Sequence, residues 1–245
     1  MKKLIIISFT LVLLSLGFAR AQDGFYDAYD YNRWSSEFCL RGGPIHQESD
    51  FSFNNQSRSI KATSTQLKQQ GNWTLAGSYV GRHDYFLFAL SGSMVKSLES
   101  NEELFIESSI FYADAAIGLM PGWDGIYIVA GGRLYDAGIN VAKASACDEP
   151  FEEGGEQWLD PFAGLRMDLS LFDWLGFYLY GDAGGFGAGS ELSWNSRAAF
   201  KLYIGGLAVH LGYHAEYSDY KSDPETPFDI EVTTQGPELG LSYNF

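Results

Sequence analysis

Residues 207–217 read LAVHLGYHAEY, and their alternation decides the fold. Leu207, Val209, Leu211, Tyr213 and Tyr217 fall on one parity, and His210, Gly212, His214 and Glu216 on the other. A period of two belongs to a strand, whose successive side chains point to opposite faces. One face here is greasy and the other polar.

The same reading extends along the chain. In 34–42, Trp34, Phe38 and Leu40 oppose Ser35, Glu37 and Arg41; in 84–95, Phe86, Phe88, Leu90 and Met94 oppose Tyr85, Ala89, Ser91 and Ser93. Between 158 and 170, Leu159, Ala163, Leu165, Met167 and Leu169 oppose Asp160, Gly164, Arg166 and Asp168. Within 191–201, Leu192, Trp194, Ala198 and Phe200 oppose Ser193, Asn195, Arg197 and Lys201, and the chain ends with Leu239, Leu241, Tyr243 and Phe245 opposed by Glu238, Gly240, Ser242 and Asn244. Segments 72–82, 105–119, 125–137 and 174–187 follow the pattern less strictly, with Asp114, Arg133 and Asp182 among their polar residues. These ten segments each approach the 9–11 residues of a tilted strand crossing a bilayer.

Soluble antiparallel sheets also alternate. Two features favour a membrane barrel. Tight joints at Arg82-His83, Pro121-Gly122, Phe172-Asp173 and Ile204-Gly205 mostly alternate with polar loops at 43–70, 96–103, 138–157 and 221–228, as expected for brief periplasmic turns and longer external loops. The short joint Gly187–Ser190 departs from that rule. All six Trp fall near predicted strand ends, Trp34, Trp123 and Trp174 at one side and Trp73, Trp158 and Trp194 at the other, which suits two interfacial girdles. Trp158 alone has the parity of the polar face.

Composition agrees. Across 245 residues there are 18 Phe, 15 Tyr and 28 Gly, yet mean hydropathy is −0.12. With 31 acidic against 16 Lys+Arg, the formal charge is −15, and nothing resembles the basic surface needed to neutralise phosphates, so nucleic-acid binding is excluded. The most apolar later window, Leu169–Gly181, is too short for a spanning helix and carries Asp173. At the N-terminus, Lys2 and Lys3 precede an apolar run from Leu4 to Phe18, and Ala19-Arg20-Ala21 has the small residues of a cleavage site. Residues 1–21 are therefore expected to be an export signal, 22–33 a periplasmic tail and 34–245 the barrel. Cleavage leaves 13 basic and 31 acidic side chains, a charge of −18, and places Cys39 and Cys147 where a disulfide is allowed.

The expected fold is all-β: a closed, antiparallel, up-and-down transmembrane barrel of about ten strands, with eight or twelve as alternatives. Twelve would follow if Ser59–Thr65 formed part of an extra hairpin.

The terminal Phe245, with Tyr243, Leu241 and Leu239, resembles the signal that presents outer-membrane proteins to the barrel-assembly machinery. WLDPFAGLR at 158–166, GDAGGFGAGSELSW at 181–194, LGYHAEYSDY at 211–220 and GPELGLSYNF at 236–245 resemble the last hairpins of a family of functionally uncharacterised bacterial outer-membrane barrels. The resemblance implies location and fold and brings no activity.

Candidate chemistry lies on the inward parity. Glu37, Arg41, Asp114, Arg133, Asp160, Arg166, Asp168, Asp182, Arg197, Lys201, His210, His214, Glu216 and Glu238 are expected to form a luminal polar network, either ion pairs filling a narrow interior or a wet constriction. Ten strands favour the filled interior, because eight leave room only for side chains and sixteen leave a channel. His210 and His214 lie about 13 Å apart along a strand, too far to share one metal, so no metal or other cofactor is expected. Asp148, Glu149, Glu152, Glu153 and Glu156 form an acidic stretch beside Cys147 without calcium-loop spacing. His46, Ser49 and Asp50 are the residue types of an acyl-transfer triad, with no recognisable oxyanion hole. The expected function is a noncatalytic envelope role or a narrow passive pore, in contact with outer-membrane lipid and lipopolysaccharide. A lipid-modifying enzyme and a secreted soluble β-sandwich binder are the alternatives.

Overall fold

The computed structural model describes residues 34–55, 58–63, 68–69, 71–100, 104–143, 152–222 and 228–245. The expected export signal and tail, and Cys147, lie outside them. In chain order the strands are β1 (Ser35–Pro44), β2 (His46–Asn55), β3 (Arg58–Thr63), β4 (Lys68–Gln69), β5 (Trp73–His83), β6 (Phe86–Ser100) and β7 (Leu104–Leu119). They continue as β8 (Ile126–Lys143), β9 (Glu152–Phe172), β10 (Leu175–Gly185), β11 (Leu192–Ile204), β12 (Leu207–Lys221) and β13 (Phe228–Asn244).

Ten of these close a ring in the order β1-β5-β6-β7-β8-β9-β10-β11-β12-β13, every neighbour antiparallel, with β13 returning to β1. Closure leaves no free edge at this level, the condition for a sheet to cross hydrocarbon. β2 continues β1 along β13 in unbroken register, Gly42 opposite Leu239 and His46 opposite Gln235. On its other flank β1 pairs β5 as far as Pro44, whereas β2 pairs β3. Arg58–Thr63 is thus a strand, but it heightens the wall and adds no member to the ring.

Several expected loops are strand. β6 reaches Ser100, β8 reaches Lys143 and β9 begins at Glu152, so the stretches assigned to loops at 96–103 and 138–157 are largely barrel wall. The reason is an exchange of faces along each tall strand. On β13 the side chains of Phe228, Ile230, Val232, Thr234, Glu238 and Ser242 are buried, while Glu231, Leu239 and Leu241 are exposed. The inward face thus runs from apolar to polar toward the end with the short turns, and the outward face from polar to apolar. Strand β8 repeats this, with Tyr135, Ala137, Ile139 and Val141 buried above Arg133. In the half nearest the short turns, apolar side chains cover the outside and ions fill the inside; in the tall part, polar side chains cover the outside and the two walls pack on each other. There Ile45 and Phe51 of the β1–β2 wall, and Phe228, Ile230 and Val232 of β13, join Ile106, Ile110, Ile139 and Val141 from the opposite arc in one hydrophobic core.

The outward apolar band is broad. Leu40, Ile117, Ile128, Leu165, Leu211, Leu239 and Leu241 are all exposed, far more contiguous apolar surface than a water-soluble monomer presents. Trp34, Trp73, Trp123 and Trp174 are exposed near strand ends, as a girdle requires. Trp158 is instead 7% exposed and points inward, so its place in the outer girdle is corrected.

Candidate functional site: the luminal polar network

Alternation fixes which residues face the lumen, and register fixes which of them meet. Three groups stack along the axis.

At the end with the short turns, five charges from four strands converge. The Lys201 ammonium donates to Glu37 Oε2 and Asp168 Oδ1, both at 2.8 Å. Arg82 Nη2 donates to Asp168 Oδ2 at 2.7 Å. Arg166 reaches the same oxygen through Nε at 3.0 Å and Nη2 at 2.8 Å. Tyr178 covers the group, its ring centroid 4.8 Å from the Arg166 guanidinium carbon and 5.3 Å from Lys201 Nζ. Because β5 and β9 stand nearly opposite in the ring, the Arg82–Asp168 pair crosses the lumen.

Midway, two further clusters form. Arg197 Nε donates to Glu238 Oε2 at 3.1 Å, with Arg41 Nε at 3.8 Å and His214 Nδ1 at 3.7 Å from the same oxygen. Arg133 links Asp114 and Asp182, and Ser91 Oγ donates to Asp114 Oδ2 at 2.9 Å. The Tyr112 hydroxyl on β7 donates to Glu216 on β12, a bond between opposite walls. Between these groups lies a cavity of about 50 Å³ touching Arg41, Asp114, Arg166 and Arg197. That is room for water, not for passage of a solute.

Higher up, Asp160 accepts the Ser190 backbone N–H at 2.7 Å. Trp158 Nε1 donates to Ser190 Oγ at 2.8 Å, and that hydroxyl is 3.0 Å from Ser218 Oγ. The Trp158 ring stacks between Tyr135 and Tyr220, at centroid distances of 4.8 and 4.1 Å.

All fourteen expected residues stand on the inward parity, but they do not form one web. His210 is apart from His214 and bonds Ser242 Oγ through Nε2 at 2.7 Å. Asp160 serves the Ser190 turn. Among the described residues no three His, Cys, Asp or Glu side chains are grouped to hold a metal ion. The sequence pattern does not single out Arg82, which sits at an expected tight joint; β5 runs to His83, and its alternation from Thr74 through Val80 turns Arg82 inward. Tyr112 and Tyr178 were also missed, since rings on a polar parity resemble noise until their hydroxyls and faces find charges.

The His46, Ser49 and Asp50 group does not converge. On β2 alternation buries Ser49 and exposes His46 and Asp50, and His46 Nε2 lies 3.3 Å from Glu48 instead. Of the acidic stretch, Asp148 and Glu149 lie outside the described residues, and Glu152, Glu153 and Glu156 belong to β9. Cys39 is buried on the inward face of β1 and, among the described residues, is a free thiol.

No protein-family model matches the chain, and no curated protein matches it. Among solved structures, the outer membrane protease OmpT from Escherichia coli is similar with a TM-score of 0.52 and 11% identity, over 92% of this chain and 99% of that one. The translocator domain of the autotransporter NalP from Neisseria meningitidis gives 0.42 and 11%, over 89% and 90%. OprG from Pseudomonas aeruginosa gives 0.38 and 11%, over 88% and 98%. At this identity the likeness to the protease is one of fold alone. A closed ring of ten antiparallel strands, an apolar exterior band and a charged interior make the chain a β-barrel of the bacterial outer-membrane type.

Proposed function

We propose that this barrel is a noncatalytic structural protein of the outer membrane, exported through a cleaved signal at residues 1–21, with a lumen sealed against solutes. The supporting observation is that bonds run from wall to wall at successive depths. Arg82–Asp168 and Lys201–Glu37 cross at the periplasmic end, and Tyr112–Glu216 crosses midway. The aliphatic core then fills the tall part. A pore needs a continuous wet path, and these layers oppose one. Luminal charge is also nearly balanced, with Arg41, Arg82, Arg133, Arg166, Arg197 and Lys201 against Glu37, Asp114, Asp160, Asp168, Asp182, Glu216 and Glu238. The acidic excess of the chain therefore lies elsewhere, in part on outward positions of the tall wall such as Asp229 and Glu231, where divalent cations can bridge it to lipopolysaccharide phosphates. Tyr243 and Phe245, whose rings stack at 5.8 Å, are read as the assembly signal.

Planar-bilayer recording tests this. Purified protein is expected to give no steady openings, and the double variant Tyr112→Ala/Arg133→Ala to give intermittent ones. Steady wild-type openings that change with Arg166→Ala or Asp182→Ala would show a working pore and refute the seal.

A further inference from the structure

The wall is uneven in height. β10 and β11 are joined by the short turn 186–191, while their neighbours β9 and β12 continue past it. β10 pairs β9 only as far as Gly184 opposite Phe162, and β11 pairs β12 only as far as Leu192 opposite Asp219. Above those pairs β9 is bonded on one side to β8, and β12 on one side to β13. The ring is therefore notched, and the two flanking strands touch through the Trp158–Tyr220 stack.

A cleft of about 750 Å³ occupies this notch. Its volume falls within the roughly 300–1,000 Å³ of small-molecule sites. It is lined from both faces of β9, by inward Trp158 and by outward Leu159 and Pro161, with Ala188 of the turn below and Tyr220 across. Lining from both faces is possible only where the wall is interrupted. The floor is held firmly: Ser190 is fixed by Asp160, Trp158 and Ser218, and Gly185, Phe186 and Gly187 all adopt positive φ to make the turn.

We propose that this notch binds one acyl chain of an outer-leaflet lipid. Two observations select that occupant. The cleft is continuous, through Leu159, with the exposed apolar strip of Leu134, Ile128 and Leu165 that the barrel turns toward hydrocarbon. And the eleven residues of β10, tilted as barrel strands are, rise on the order of 25–30 Å from the periplasmic turn, which sets the notch at the outer edge of the apolar band. A chain entering there lies against the Trp158 and Tyr220 rings and the Leu159 and Pro161 side chains. The inference rests on the outer-membrane location proposed above.

The test uses the full barrel folded into phosphatidylcholine vesicles containing a phosphatidylcholine with a photoactivatable diazirine on its acyl chain, with adducts mapped by mass spectrometry. A site gives adducts at Leu159, Pro161 and Ala188 several-fold above those at Leu165 and Leu211. Ala188→Trp, which fills the cleft from an exposed turn position, removes the excess and leaves Leu165 and Leu211 labelling unchanged. Leu159→Asn, which removes the largest aliphatic side chain of the lining, reduces it independently should the first variant not fold. Uniform labelling along the strip, or an excess untouched by either variant, means ordinary surrounding lipid and overturns the site. Loss of labelling at Leu165 and Leu211 as well would contradict the membrane location itself, a separately recognisable result.

Discussion

Arg133 on β8 donates to both carboxylate oxygens of Asp182 on β10, at 3.2 Å from Nη1 and 2.7 Å from Nη2, reaching over the strand that separates them. Its Nε goes to Asp114 at 2.8 Å, so two carboxylates share one guanidinium. The Arg133 side chain is 1% exposed and that of Asp182 0%. Charges so far from water are tolerable only while paired, because each alone carries a desolvation cost of several kcal/mol.

Arg133→Met should therefore destabilise the folded barrel by about 3–5 kcal/mol, leaving two buried carboxylates without their cation. Adding Asp114→Leu and Asp182→Leu to it should restore much of that loss, since an apolar filling does not strand a charge. Urea titration of the barrel in vesicles reads both steps. A triple variant as unstable as the single one would place the stability in packing, not charge.

The Arg133–Asp182 contact needs space on the intervening strand. Gly164 stands opposite Asp182, and a Cβ there would lie 2.2 Å from the Gly181 carbonyl oxygen and 2.7 Å from Asp182 Cβ. Both are closer than atoms can pack, and neither neighbour is the loose end of a side chain. Gly164→Val is expected to block closure, seen as loss of the faster migration of unheated protein on electrophoresis. Gly187→Ala, in a turn where a Cβ meets nothing, should strain only the local backbone at φ 75° and keep that migration.

In the tall part the stabilising term changes kind. Ile230 is 2% exposed among Phe51, Phe228 and Val232. Ile230→Ala should cost about 2–5 kcal/mol locally. Hydrogen exchange is expected to quicken over the upper halves of β12 and β13 while Leu239–Tyr243 stays protected. Uniform loss of protection along β13 would mean that the tall wall and the membrane band unfold as one unit.

The membrane half was legible in the sequence because each strand there carries a constant outward set, such as Leu207, Val209 and Leu211. Strand number, antiparallel order and the inward parity of all fourteen candidate residues follow from it. The tall half was not legible by the same template. In Phe228 to Val232 the alternation persists with its meaning reversed, apolar residues now inward, and a reading that holds one parity for lipid sees only a polar loop. Pairing across the lumen was also beyond reach: parity places Lys201 and Glu37 on the same face, but only closure brings β11 and β1 near enough for them to meet. Trp158 gave a usable signal, since its parity disagreed with the girdle and its ring proves to be buried.

The exchange of faces along β13 is the central claim and can be measured on that strand alone. With Cys39 and Cys147 replaced by Ser, single spin-labelled cysteines are placed at 229, 231, 233, 239, 241 and 243, and their relaxation is compared with dissolved oxygen and with a water-soluble nickel chelate. Positions 239, 241 and 243 are expected to be reached by oxygen and shielded from nickel, and 229, 231 and 233 the reverse. Nickel access at 239 and 241 equal to that at 229 and 231 would contradict a lipid-covered band and, with it, the barrel's place in the membrane.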